Sequence, residues 1–155
     1  MAIKQRLKSL VDKLAVSAPS SPWRPATGPY PALATLDPAA LQVDKVAGVL
    51  AVWHLGVRPQ WLKVAACADL GAVVRAAMAT PAIMSYAANG GIYAAWAPLP
   101  PAFLAGPVVY LVSELKPALQ AVTLEGELVP KKGIKPEAIA LPPGTEERRE
   151  QCQIR

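Results

Sequence analysis

The chain has little of what most enzymes need for chemistry. Among its 155 residues there is one histidine, His54, and two cysteines, Cys67 and Cys152. The cysteines are far apart in sequence, and no Cys-x-x-Cys or metal-ligand spacing occurs. This excludes a disulfide framework or zinc cluster and fits a reducing compartment. No glycine-rich phosphate loop is present, because Asn89-Gly90-Gly91 lacks a following Lys-Ser/Thr. There is no serine elbow and no haem motif, so neither a cofactor nor a metal is expected. Aromatic residues make up only 6% of the chain. Residues 1–15 alternate charged and apolar side chains, and so lack the apolar run of a signal peptide.

Charge is also missing from a long stretch. Residues 76–112 contain no charged side chain, and that length could span a bilayer. Pro81, Asn89, Gly90, Gly91, Pro98, Pro100, Pro101 and Pro107 interrupt it. A bilayer requires every backbone group to be satisfied within a helix or closed barrel. Buried core elements are therefore expected here, not a transmembrane helix. The net charge of +5 lies wholly in the ends: +3 in residues 1–15, +2 in residues 131–155, and zero in between. A nucleic-acid binder carries a basic patch on its folded surface, so this distribution argues against one.

Proline is abundant, with 17 residues, about twice the usual share. Together with the charge pattern it divides the chain into four parts. Residues 1–16 predict an amphipathic helix with Ile3, Leu7, Leu10, Val11 and Leu14 in one apolar stripe. So short a helix is marginal alone, and its stripe needs its own core, another protein's groove or an anionic membrane surface as cover. Residues 17–40 form a proline-rich extended arm carrying Trp23 and Tyr30. Large aromatics on such an arm are candidate anchors for a partner's pocket, unless they fold back on the arm's own domain. Residues 41–120 form the core, and residues 121–155 read as an extended polar tail.

Within the core, Asp37 and Pro38 mark a short helix start. Val49–Leu55 and Trp61–Val64 predict a hairpin, and residues 66–80 a helix with Asp69 near its N-terminus. A further short helix is expected over 82–88. Ile92–Trp96 is a third strand, and residues 102–115 a helix interrupted at Gly106-Pro107. Residues 122–129 could give two extended pieces around Glu125-Gly126. The expected fold is α+β: a small three-stranded sheet, β-β-α-β-α, with flanking helices. His54 reads as a structural residue, since no sequence feature places an acid or nucleophile beside it.

The order of these pieces resembles the GIY-YIG family. Gly48-Val49-Leu50 stands where that family has Gly-Ile-Tyr, and Lys63-Val64-Ala65 where it has Tyr-Ile-Gly. Asp69-Leu70 resembles the start of its first helix. Leu115-Lys116-Pro117-Ala118-Leu119-Gln120 resembles its closing Leu-Lys-Pro-x-x-Asn. The likeness covers about half of the chain. It implies the scaffold without nuclease activity, because the family's functional positions are replaced. The two tyrosines become Leu50 and Lys63, the arginine Val73 (Arg75 is two positions off), the glutamate Val108 and the asparagine Gln120. Metal-assisted phosphoryl chemistry needs a carboxylate and charge stabilisation, which Leu50, Val73 and Val108 cannot supply.

The functional expectation is a non-catalytic accessory subunit of a larger protein assembly. It would be cytoplasmic or at a membrane-bound assembly. Partner binding would use Ile3, Leu7, Leu10, Val11, Leu14, Trp23 and Tyr30. The alternatives are a nucleic-acid-binding module using the basic ends, and a peripheral membrane protein held by residues 1–15.

Overall fold

The structure is a computed structural model that describes residues 21–25, 30–55, 60–89 and 91–142. The expected helix over residues 1–16 and the last part of the tail lie outside the described residues. The fold is α+β, with an antiparallel sheet between helices on both faces. The elements are α1 (Pro38–Leu41), β1 (Gly48–His54), β2 (Gln60–Cys67), α2 (Leu70–Met78), α3 (Pro81–Met84), β3 (Ile92–Pro98), α4 (Ala105–Leu115) and β4 (Glu127–Leu128). Short 3-10 turns lie at Leu33–Thr35, Ser85–Asn89 and Pro101–Phe103. The sheet has four strands, in the order β3-β1-β2-β4. The expected three-stranded count is thus corrected: the tail adds a two-residue strand, too short to show a periodicity of its own.

β1 is central and buried along its whole length. That is why Gly48 to His54 reads as an apolar run with no polar alternation: both faces of the sheet are covered. Leu50 and Val52 face one core with Leu62, Ala65, Cys67 and Trp96, under Leu70, Val73, Val74 and Ala77 of α2 and Ile83 of α3. Val49, Ala51 and Trp53 face the other, with Val64, Ala66, Ala95 and Ala97, under Val108, Leu111 and Leu115 of α4. β1 and β3 are packed tightly at Gly48, where a Cβ would strike the Ala97 carbonyl oxygen.

Two helix boundaries differ from expectation. β2 continues through Ala66 and Cys67, so α2 begins later than predicted, with Asp69 as its N-cap accepting from the Ala72 amide at 3.1 Å. Its first turn is further covered by the loop before β1. The Leu70 amide donates to Val46 O at 2.7 Å and that of Gly71 to Val43 O at 3.2 Å. A Cβ on Gly71 would strike the Asp44 carboxylate. Gly106-Pro107 does not interrupt α4: both lie in its first turn, where a proline's missing N–H has no intrahelical partner to lose. The N-cap role of Asp37 is as expected, accepting from the Ala39 amide at 3.2 Å.

No single helix among the described residues is long and apolar enough to cross a membrane. α2 and the helical stretch 81–88 pass jointly by length and composition, but are bent by 62°. Their apolar residues Leu70, Val73, Val74, Ala77 and Ile83 are core residues.

Candidate functional site

The chain closes its own sheet edges, and the site is built where it does so. On the β3 side the arm lies alongside the strand. Arg24 and Trp96 exchange backbone hydrogen bonds of 2.6 and 2.9 Å, and the Ala94 amide donates to Pro31 O at 3.3 Å. Trp23 and Tyr30, next to these two pairings, turn inward. Trp23 is fully buried, and its Nε1 donates to the Ala140 carbonyl at 2.7 Å. Tyr30 is half-buried and stands edge-on to Trp53, with ring centroids 5.5 Å apart. Trp53 in turn packs against Trp61 at 5.2 Å and Tyr93 at 6.3 Å. Trp23 and Tyr30 therefore do not project as partner anchors. A large apolar ring on an extended arm gains most by covering the nearest apolar face, and here that face is the chain's own.

On the β2 side the closure is polar. Ala118 N donates to Trp61 O at 2.9 Å and Leu119 N to Leu62 O at 2.8 Å. The Gln120 side chain then takes the place of a backbone: its Oε1 accepts from Val64 N at 3.0 Å and its Nε2 donates to Val64 O at 2.7 Å. β4 finishes the edge by pairing Leu128 with Ala66 and Glu127 with Cys67. Beneath this strap sits Lys63, with only 1% of its side chain exposed. Its Nζ is 2.9 Å from Glu127 Oε2 and donates to the Gln120 carbonyl at 2.9 Å. The remaining carboxylate oxygen of Glu127, Oε1, accepts from Leu124 N at 2.9 Å. A buried charge is tolerated when it is paired and hydrogen-bonded, and this one is both.

Outside the strap, an apolar groove of about 370 Å³ runs between α4 and the tail. It is lined by Val108, Val109, Val112, Ala121, Val129 and Pro130, together with the polar Gln120, Thr123, Glu127 and Lys131. Leu128 and Val129 beside it are 47% and 63% exposed.

The other singled-out residues sit in structural roles. Leu50 and Val73 are core residues, and Val108 lies in the second core and on the groove wall. Arg75 is on the surface, paired with Asp44 at 2.8 Å. His54 lies 3.4 Å from Gln60 Oε1 and 4.9 Å from the Tyr86 ring. Burial pushes the Cys67 thiol up to about 11, so it is not a thiolate at neutral pH. No group of three or more His, Cys, Asp or Glu that could hold a metal is found among the described residues. Ile3, Leu7, Leu10, Val11 and Leu14 lie outside the described residues.

Sequence reasoning missed Glu127, the groove and the clamp by Gln120. One signal was available: Lys63 is the only charge in the run Trp61–Cys67. A lone lysine inside a buried strand demands a carboxylate, and Glu127 is one of only a few near the end of the core.

No protein-family model, characterised protein or solved structure matches the chain.

Proposed function

We propose that the chain is a non-catalytic accessory subunit of a larger protein assembly, built on a degenerate GIY-YIG-like scaffold. The observation that carries this reading is what occupies the positions the resemblance would give to catalysis. Leu50, Val73 and Val108 are buried core residues, and Lys63 is locked to Glu127. Leu50, Val73 and Val108 carry no group that accepts or donates a proton, and the Lys63 ammonium is already engaged by Glu127 and the Gln120 carbonyl. The succession of hairpin, helix, third strand and helix supports the scaffold. With Trp23 and Tyr30 folded inward, docking falls to the stripe Ile3, Leu7, Leu10, Val11 and Leu14.

The test is a pull-down from native extract with mass spectrometry, comparing the full chain with Leu7→Glu/Leu10→Glu. Removing the whole arm is the wrong comparison, because it would also remove Trp23 from the core. A stoichiometric complex captured by the full chain and lost in the variant is expected. A chain that comes down alone, or a complex that survives the variant, overturns the reading.

A further inference from the structure

We propose that the groove beside α4 binds a small aliphatic carboxylate, with the tail along the groove and the head on Lys131. The site is independent of the subunit reading, and either can fail without the other. At about 370 Å³ the groove lies within the range of small-molecule sites, roughly 300–1,000 Å³. Its apolar lining is made of valine, alanine and proline, with no aromatic ring. A planar ring would find no aromatic partner there, whereas an alkyl chain meets aliphatic groups throughout. Val108, Val109 and Val112 share one face of α4, because residues three and four apart are neighbours on a helix.

Charge selects the head group. Of the polar residues in the lining, two are already engaged. Both ends of the Gln120 amide bond to Val64, and the two oxygens of Glu127 meet Leu124 and Lys63. The Glu127 charge is thereby offset by Lys63, 2.9 Å away. Thr123 and Lys131 are exposed, and neither side chain is hydrogen-bonded or ion-paired to another described residue. The charge left to the lining is therefore the Lys131 ammonium, carried on a flexible four-carbon stem. One ammonium and one hydroxyl match a singly charged carboxylate. A phosphate group brings more charge and three strong acceptor oxygens, more than these two donors satisfy. An exposed ion pair adds little affinity. The tail thus supplies most of the binding, and the head supplies its sign and orientation.

Titration of the full chain with unbranched carboxylates of increasing length, followed by methyl NMR, tests this. The expected result is a saturable shift of the valine methyls at 108, 109, 112 and 129, with the methyls of Leu50 and Val52 unmoved. Affinity should rise about fourfold with each added methylene until the groove is full. Val129 and Lys131 are exposed, so variants there spare the core. Val129→Asp places a like charge in the lining and should weaken carboxylate binding at least tenfold. Lys131→Met should weaken it by up to about fivefold and leave the primary alcohol of the same length unaffected. Added salt should act on the carboxylate in the same way, and not on the alcohol. Absence of a saturable shift at every length overturns the proposal. So does binding that survives Val129→Asp, which would place the ligand elsewhere, or a Lys131→Met loss as large for the alcohol as for the carboxylate.

Discussion

The two edges of the sheet are closed by opposite means. The arm covers β3 with prolines, a few backbone bonds and a buried indole. The tail covers β2 with an amide that imitates a strand and a charge pair sealed under it. The first closure depends on shape and apolar area, and it tolerates exchange among residues that fill the same volume. The second depends on register, because Glu127 reaches Lys63 only when β4 pairs Glu127 with Cys67. Exposed strand edges invite pairing with other chains. This protein has removed that risk once with a hydrophobic wedge and once with an electrostatic lock.

The largest effect should come from the wedge. Trp23→Ala removes a fully buried indole and leaves the Ala140 carbonyl without its donor, costing about 3–5 kcal/mol. Urea denaturation should show this as a lowered midpoint. A cost below about 1 kcal/mol would mean that the arm lies on the sheet without holding it.

The lock should show a different signature. Glu127→Ala strands the Lys63 ammonium in a closed site, a change of about 3–5 kcal/mol. The pair Lys63→Met with Glu127→Leu should recover most or all of that loss, because apolar replacement of a buried ion pair is often neutral or better. The double-mutant cycle sharpens the comparison: strong coupling marks a lock, and additive losses would reduce it to two separate packing sites.

The smallest effect lies at α2. The Asp69 carboxylate accepts from the Lys45 amide at 2.8 Å and the Ala72 amide at 3.1 Å. These bonds, Lys45's first, hold it below its ordinary value of 3.8. A depressed carboxylate stabilises the fold above its unfolded value and loses that contribution as pH falls through the folded one. Stability plotted against pH should therefore drop in the acid limb below about pH 4. Asp69→Asn should flatten that limb and leave the two edge closures untouched.

Local chemistry was legible where it acts within a few residues. The N-cap at Asp37, the hairpin, the helix stop before Pro81 and the third strand all follow from neighbours in sequence. What was hidden depends on partners far apart in the chain. Trp23 looks like a free anchor until the chain places Ala140 beside it, 117 residues away. Gln120 looks like a polar replacement of an asparagine until its amide meets Val64. The length of β2 was misjudged because Ala66 and Cys67 suit a helix as well as a buried strand, and only pairing with β1 and β4 decides the matter. For the candidate site, the groove was not readable, because it exists only after α4 and the tail come together.

The pairing of Arg24 with Trp96 has a consequence for biosynthesis. The arm leaves the ribosome long before β3 is made, and must wait with its tryptophan uncovered. A β-branched strand in that situation would find other edges, in its own chain or a neighbour's. Proline cannot donate to a ladder, so Pro19, Pro22, Pro25, Pro29 and Pro31 leave the waiting arm few chances to pair. Its composition serves the interval before folding as much as the folded state.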